Sequence, residues 1–218
     1  MNYYEAYHQI RAGLGDALPG PAAQYRLAPR ERTGSRHWPP PEQMRKAGVL
    51  ALLENHRDGA ALILIERQRY PGVHSGQISF PGGKHEKEDP NFEFTALREA
   101  REEIGVDASQ FEVAGALSEL YIPPSNFWVQ PFIGFSEQEL ELQPQPSEVA
   151  AIHRVSINQL RQPDCLCEIN LVFPKAIRRS VPAFQAGKVV IWGATAMMIS
   201  EILALLENSK VSGEAKDF

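Results

Sequence analysis

Residues 80–106 read FPGGKHEKEDPNFEFTALREAREEIGV, and this stretch combines a glycine turn with a short acidic helix. Asp89 and Pro90 are typical of a helix start, an N-cap followed by proline at the first helical position. Gly105 is typical of a helix end, because glycine readily adopts the left-handed conformation that closes many helices. The sequence therefore predicts a helix over about 91–104 that is capped at both ends.

Side chains placed at about 100° per residue divide this helix into two faces. The face expected to pack on the core carries Leu97, Ala100 and Ile104. Glu99, Glu102 and Glu103 lie together on another face, at spacings of three and four residues, where like charges repel one another. Arg98 lies one turn before Glu102 and compensates for part of this charge. A surplus of negative charge remains on the acidic face.

Two interpretations of the acidic face stay open at this point. Hard cations such as Mg²⁺ take oxygen ligands and are often shared between a few carboxylates and substrate phosphates. A solvated acidic helix face that binds no metal is the alternative. Gly82 and Gly83 favour the first interpretation, because a backbone without side chains can approach a ligand closely. The segment has the parts that a metal–diphosphate site requires.

Apolar runs elsewhere predict several strands and two more helices, and hence a mixed sheet flanked by helices. The predicted strands are 47–53 and 61–66 (a hairpin), 77–80, 111–117, 127–135 and 149–157, with weaker candidates at 168–173, 178–182 and 188–192. The predicted helices are 3–13, closed by Gly13, and 194–207. Residues 15–41 are rich in Gly, Pro and Arg and predict a surface arm.

These patterns predict three regions: an N-terminal helix and arm over 1–44, one folded domain over 45–208 and a C-terminal tail over 209–218. The chain has 218 residues and a formal net charge of −5, which argues against a nucleic-acid partner. Cys165 and Cys167 offer no second ligand pair for zinc and indicate reduced thiols. Without an export signal or an apolar run of about 20 residues, a cytoplasmic protein without a membrane contact is expected.

Residues 98–106 resemble the second half of the Nudix hydrolase signature, Arg-Glu-apolar-x-Glu-Glu-x-Gly-apolar, without a gap. The first half departs from the family pattern. Five residues after Gly83 comes Asp89, where the signature has Glu, and eight residues rather than seven precede Arg98. The longer spacer is similar to that of one branch of the family, the coenzyme A pyrophosphatases.

Upstream residues extend the resemblance to that branch. Residues 63–67 read ILIER and residues 76–83 read GQISFPGG, close to the pattern of the branch, and His74 also matches it. Gly72 stands where the branch has an arginine, and Arg69 is the nearby substitute. The late stretch 192–195, WGAT, matches again. The resemblance spans about residues 45–205 and implies a Nudix-type α/β/α sandwich in the α/β class, with a mixed central sheet.

Roles for individual residues follow from the resemblance. It implies that Glu99, Glu102 and Glu103 bind Mg²⁺ or Mn²⁺, with Arg98 orienting the carboxylates and the Gly83 carbonyl as a further ligand. Asp89 is left open between a metal ligand and a helix N-cap. The general base is expected from a later loop, with Glu148 preferred over Glu119. The residues expected to contact substrate are Arg67, His74, Gln77, Phe80, Gly82 and Gly83. The alternatives are a surface ion pair for Arg67, a plain loop histidine for His74 and an ordinary surface glutamate for Glu148.

The resemblance implies metal-dependent hydrolysis of a small-molecule diphosphate, with coenzyme A or acyl-coenzyme A as the expected substrate. The products would be 4′-phosphopantetheine, or its acyl form, and adenosine 3′,5′-bisphosphate. A Nudix enzyme for ADP-ribose and a non-catalytic nucleotide-binding module are the rival hypotheses. Ser75 lacks the glycine framing of a serine hydrolase. The sequence leaves a homodimer open.

Overall fold

The computed structural model describes residues 1–29, 39–71, 74–173 and 177–211. The helices of this part are α1 Tyr3–Leu14, α2 Gly20–Gln24, α3 Phe92–Ile104, α4 Ile157–Leu160 and α5 Gly193–Val211. Its strands are β1 Arg45–His56, β2 Gly59–Arg67, β3 Ile78–Ser79, β4 Gly82–Lys84, β5 Glu112–Ala116, β6 Leu120–Ile122, β7 Phe127–Ser136, β8 Val149–Ser156, β9 Leu166–Phe173, β10 Ile177–Ala186 and β11 Val189–Trp192.

A mixed sheet forms the centre of the fold. Its main path runs β3-β2-β1-β7-β5, with β4 also paired to β1, β6 to β7 and β8 to β2. Strands β1 and β7 are parallel, from the pair Arg45 and Phe127 to the pair Glu54 and Ser136. The other pairs in this sheet are antiparallel. Strands β9, β10 and β11 form a smaller antiparallel sheet.

The two faces of the central sheet bury different helices. Side chains alternate between the faces of a strand. In β1, Ala51 and Leu53 therefore pack in one core cluster with residues of α1 and α5. Leu50 and Leu52 face the other way and pack with Ala96, Ala100 and Ile104 of α3. The result is the predicted sandwich, with helices on both sides of a mixed sheet, and the acidic helix covers one face of β1.

Most of the predicted elements are present, including the hairpin of β1 and β2, and two short strands escaped prediction. Strand β4 was expected to be a glycine turn, yet Gly82 and Gly83 pair with Val49 and Gly48 of β1. Glycine is depleted in strands, so the two glycines gave no indication of a strand at this position. Strand β6 was missed as well, because three residues are too short for a readable alternation.

The prediction of a surface arm over 15–41 is wrong for residues 20–28. This segment forms α2 and a turn of 3₁₀-helix, and Ala23, Leu27 and Ala28 are buried. Gln24 is buried too, and its amide donates a 2.9 Å hydrogen bond to Glu201 of α5. The segment is therefore part of the folded unit and not a separate arm. Residues 30–38 of the predicted arm lie outside the described residues.

The two ends of the chain also differ in detail from the prediction. Helix α1 continues through Gly13 to Leu14 and ends at Gly15, and its residues Tyr3, Ala6 and Ile10 enter the core. Helix α5 extends into the predicted tail, as far as Val211, and residues 212–218 lie outside the described part. None of the helices in the described ranges is long and apolar enough to span a bilayer.

Candidate active site

Helix α3 begins at a different cap from the one expected. Asn91 is the N-cap, and its side chain accepts a 2.8 Å hydrogen bond from the backbone N–H of Phe94. The prediction that Asp89 and Pro90 start the helix is wrong by two residues, because Asn91 supplies the same capping chemistry closer to the first turn. Gly105 ends the helix as predicted, with a φ of 72°.

Asp89 does not cap the helix and instead binds Arg98 in a bidentate ion pair. Nε of Arg98 lies 3.1 Å from Oδ1 of Asp89, and Nη2 lies 3.1 Å from Oδ2. Thr95 and the backbone N–H of Glu86 also donate to Asp89, which is buried. The Arg98 guanidinium holds the pKa of this carboxyl well below its usual range. Both oxygens of Asp89 accept hydrogen bonds, so its contacts are those of an anchor for Arg98 and not those of a helix cap.

Arg98 also contacts the carboxylates on the acidic face of the helix. Its Nη1 lies 3.0 Å from Oε1 of Glu99 and 3.3 Å from Oε2 of Glu102. Its Nη2 donates to the carbonyl of Lys84 in β4. Charge-assisted hydrogen bonds of this kind are strong and directional. Arg98 thus has the contacts required to orient two of the three helix carboxylates.

Glu103 is the most buried carboxylate of the helix, with 1% of its surface exposed. Its Oε2 accepts a 2.8 Å hydrogen bond from the backbone N–H of Gly82. Its Oε1 lies 3.5 Å from Nη1 of Arg67 at the end of β2. Burial raises the pKa of Glu103 to about 7, although the Gly82 N–H and the Arg67 charge oppose the shift. A carboxylate so costly to keep charged favours a further cation beside it.

Glu99 lies directly against the backbone of Gly83. A Cβ on Gly83 would overlap the Glu99 carboxylate, so only glycine leaves room for it. Burial also raises the pKa of Glu99, while Arg98 opposes the shift. Gly48 in β1 has a related role that the sequence did not reveal, because a Cβ there would overlap the carbonyl of Phe92. Glycine at 48 lets the start of α3 approach the sheet.

The remaining acidic candidates lie at the edge of this cluster. The side chain of Glu102 is 60% exposed and contacts Arg98. Glu148 is exposed, and its negative charge contributes to the raised pKa of both Glu99 and Glu103, which places it beside the cluster. Glu119 is exposed before β6, and it makes no hydrogen bond or ion pair within the described ranges. The choice of Glu148 over Glu119 as the general base stays a prediction.

Three of the predicted substrate contacts lie at or near the end of β2, and a fourth is buried in the core. Arg67 and the turn residues His74 and Gln77 lie at or near the end of β2, where Nδ1 of His74 is 2.8 Å from Oε1 of Gln77. Arg67 points inward to Glu103, so a plain surface ion pair does not describe it. Phe80 is only 1% exposed and packs in the hydrophobic core, and the prediction that it contacts substrate is corrected accordingly. Gly72 lies outside the described residues.

The donor chemistry of the cluster fits a hard divalent cation, but its side chains are not gathered around one point. Within the described ranges, no three His, Cys, Asp or Glu side chains form a group able to hold a metal ion. Glu102 is paired with Arg98, and Glu103 is paired with Arg67.

Comparison with known proteins gives the same family for fold and sequence. Residues 44–173 match the NUDIX domain. The human mitochondrial coenzyme A diphosphatase NUDT8 is 32% identical over 162 residues, which are 73% of this chain and 69% of that protein. An uncharacterised Nudix hydrolase, NudL of Pectobacterium atrosepticum, is 29% identical over 172 residues, 75% of this chain and 83% of its own.

Among solved structures, a MutT/nudix family protein from Enterococcus faecalis superposes with a TM-score of 0.52 at 17% identity, covering 85% of this chain and 73% of that one. At this identity the likeness concerns the fold alone. The domain match spans more than half of the chain, and it contains β1, β2, the glycine strand β4 and the acidic helix α3. The chain therefore belongs to the Nudix family and is a hydrolase of diphosphate linkages.

Proposed function

We propose that this protein hydrolyses the diphosphate linkage of coenzyme A or an acyl-coenzyme A, with Mg²⁺ or Mn²⁺ as the cofactor. The observation that carries the proposal is the pairing of Glu99 and Glu103 with the backbone of Gly83 and Gly82. Two carboxylates with raised pKa values therefore lie against the backbone of one glycine strand. The name of the human relative and the match of residues 76–83 support the choice of coenzyme A.

Glu99, Glu102 and Glu103 would hold the cation. When bound, Mg²⁺ or Mn²⁺ neutralises diphosphate oxygens and lowers the pKa of water. Arg98 keeps Glu99 in position through Nη1 while Asp89 fixes the far side of the guanidinium. Arg67, which lies 3.5 Å from Glu103, would contact a substrate phosphate.

Glu148 is proposed as the general base. Its exposed carboxylate lies near Glu99 and Glu103 and would accept a proton from the attacking water. The hydroxide then forms a new bond to one phosphorus, and the bond between that same phosphorus and the bridging oxygen breaks. The leaving phosphate takes the bridging oxygen. The products of coenzyme A would be 4′-phosphopantetheine and adenosine 3′,5′-bisphosphate.

Product analysis tests the proposal. Wild-type protein and a Glu103→Gln variant are incubated with coenzyme A, acetyl-coenzyme A, ADP-ribose and NADH, with Mg²⁺ or Mn²⁺. We expect adenosine 3′,5′-bisphosphate from the coenzyme A substrates with the wild type only. AMP from ADP-ribose, with coenzyme A intact, would replace the proposed substrate by that of the first rival. Binding without turnover of any substrate would support the non-catalytic module.

Several properties stay predictions. These are the cytoplasmic location, the absence of nucleic-acid and membrane partners, and the homodimer that the sequence leaves open. The human relative is named as a mitochondrial protein, so the location needs its own measurement.

A further inference from the structure

Strand β9 forms the outer edge of the small sheet, in which the strand order is β11-β10-β9. One side of β9 pairs with β10, from Leu166 and Phe184 to Phe173 and Ile177. Within the described ranges, no strand pairs with the other side. That side presents a row of backbone N–H and C=O groups to which another strand can bond. We call it the β9 edge.

The β9 edge lacks the features that usually prevent edge strands from pairing with other chains. Lysine, proline and β-bulges are the common protections. Residues 166–173 read LCEINLVF and contain neither lysine nor proline. The pairing of β9 with β10 also continues without a bulge. Glu168 is the single charged residue of the strand. The edge is therefore open to the addition of a strand.

The exposed face of β9 carries an apolar side chain at each end. Side chains alternate between the two faces of a strand. On β9 the exposed set is Leu166, Glu168, Asn170 and Val172. Leu166 is 52% exposed and Val172 is 69% exposed. Among the large apolar side chains that are exposed in the described part of the chain, these two are the aliphatic ones. Their spacing on the strand decides what can cover them.

Leu166 also lines a groove of about 750 Å³ beside α5. Phe184 of β10 and Leu203 of α5 belong to the same lining. Val172, six residues farther along β9, does not line this groove. The strand therefore has an apolar groove at one end and an exposed apolar side chain at the other.

Two-fold symmetry about Ile169 brings these two ends together. In a closed dimer joined edge to edge, the two strands run antiparallel, and each residue lies opposite a fixed residue of the other copy. With the axis through Ile169, Leu166 of each copy lies opposite Val172 of the other, at the groove. Both exposed aliphatic side chains then gain an apolar partner on the same face of the sheet.

The neighbouring registers are less favourable. An axis through Glu168 places the two Glu168 carboxylates directly opposite each other, which is destabilising. An axis through Asn170 places Val172 opposite Glu168. With the axis through Ile169, Glu168 instead lies opposite the uncharged Asn170. The side chains of the strand therefore favour one register.

We propose that a second copy of this chain pairs with the β9 edge, antiparallel and centred on Ile169, so that the two three-stranded sheets become continuous. Each copy contributes Val172 to the mouth of the other copy's groove, where it contacts Leu166. The same residues meet from both sides, so the contact closes at two copies. The pairing uses the small sheet, whereas the acidic helix packs on the central one, so it does not depend on the substrate.

Sedimentation equilibrium of the full chain measures the association. One strand and one groove mouth per copy are small beside a standard interface of about 1,600 Å², so we expect a dissociation constant of about 1 to 100 µM. Protein concentrations from about 1 to about 500 µM cover this range. A monomer at every concentration would overturn the proposal, and so would species that grow beyond the dimer.

Charge substitutions at the contact between Leu166 and Val172 test which surface associates. Val172→Glu and Leu166→Lys should each raise the dissociation constant at least about tenfold, because each buries an unpaired charge against an apolar side chain. The two combined place opposite charges across the contact, and the dissociation constant should return to within about threefold of the wild type. Thermal melting establishes that each variant is folded.

Phe94→Glu is the matched control, because it replaces another exposed apolar side chain, on α3, by the same charge. We expect it to leave the dissociation constant within about twofold of the wild type. Equal weakening by Val172→Glu and Phe94→Glu would overturn the β9 edge as the interface. Additive weakening in the combined variant would overturn the contact between Leu166 and Val172.

Cysteine cross-linking tests the register, in a Cys167→Ser background where the remaining native thiol, Cys165, is buried. Residue 169 faces its own copy at a Cα–Cα distance of about 4.5 to 5.5 Å, which a disulfide can span. Residue 170 is offset from its own copy by two positions, so the distance is about 8 Å and too long. We expect mild oxidation to link Ile169→Cys into a covalent dimer and to leave Asn170→Cys largely unlinked. Equal linking of the two variants would overturn the register.

Discussion

The amide nitrogen of Gly82 lies 2.8 Å from Oε2 of Glu103, across 21 residues of sequence. This hydrogen bond joins the glycine strand β4 to the buried side of helix α3. It satisfies one oxygen of a carboxylate that burial would otherwise leave costly to charge, and the other oxygen faces Arg67. Strand β4 and the end of β2 therefore each contact one oxygen of the Glu103 carboxylate.

Glu103→Gln should abolish most of the diphosphatase activity while the protein stays folded. The amide oxygen of Gln can still accept from Gly82, but the side chain no longer carries the charge that a divalent cation needs. Loss of groups that only orient metal ligands costs about 10- to 100-fold, so loss of a ligand should lower kcat by at least about 100-fold. Steady-state kinetics with coenzyme A and thermal melting measure the two quantities. Full activity of the variant would remove Glu103 from the metal site.

The metal-free protein should become less stable as pH rises from about 4.5 to about 7. The pKa of Glu103 is raised from 4.5 to about 7 by folding, so the folded state binds more protons in this window. The stability that Glu103 contributes is fully present below its pKa in the unfolded state and is lost as pH rises through its pKa in the folded state. The change in the free energy of unfolding from this group is about 3 kcal/mol. Urea unfolding of the wild type and of Glu103→Gln across this pH range isolates the contribution of Glu103 to stability. An identical pH dependence in the two proteins would contradict the assignment.

Stabilisation by Mg²⁺ should follow the opposite trend. The cation binds the carboxylate and not the protonated acid, so its binding competes with a proton on Glu103. We expect the rise in Tm on adding a fixed Mg²⁺ concentration to be clearly larger at pH 8 than at pH 6. In Glu103→Gln the difference between the two pH values should shrink. A rise in Tm that is larger at pH 6 would argue against metal binding by this group.

Asp89→Ala should destabilise the protein by about 3 kcal/mol, since it leaves the half-buried Arg98 without its bidentate partner. Activity should fall as well, because Arg98 would lose the anchor that lets it orient Glu99. Glu88→Ala is the matched control: Glu88 is exposed, and its loss should change stability by less than about 0.5 kcal/mol. Chemical denaturation gives both values. Equal, small effects of the two variants would mean that Asp89 is dispensable.

Gly83→Ala should lower kcat by at least about tenfold. The added Cβ would overlap the Glu99 carboxylate, which must rotate away from its position against β4. Gly15→Ala is the control, because a Cβ there meets only the carbonyl of Ala12, at 3.4 Å. Comparison of kcat and Tm for the two variants distinguishes a displaced ligand from general unfolding. Unchanged kcat in Gly83→Ala would show that Glu99 does not need this position.

Local patterns in the sequence predicted much of this protein because their physical causes are local. Helical periodicity defined the apolar face of α3, and the run of Glu99, Glu102 and Glu103 defined its acidic face. Gly105 closed the helix through its own backbone freedom. Alternating apolar residues indicated the hairpin of β1 and β2. Each of these inferences depends only on residues that are close in sequence, within about one or two helical turns or strand repeats.

Local reasoning failed where a distant partner decided the outcome. Asp89 looked like a helix cap, yet it binds Arg98, and the cap is Asn91. Residues 20–28 looked like a surface arm because proline and glycine disfavour regular structure. They are buried because Gly20 and Gln24 find hydrogen-bond partners in Glu201, some 180 residues away. No spacing rule within the segment could reveal that carboxylate.

The sequence by itself determined the acidic helix, its caps in outline and the family to which the chain belongs, since the signature is a contiguous run of side chains. Only the tertiary structure decided which groups face the helix. Folding brings Arg67 within 3.5 Å of Glu103 and Gly83 against Glu99. These contacts join residues that are far apart in the chain, and their energies depend on burial and on charges supplied by other elements.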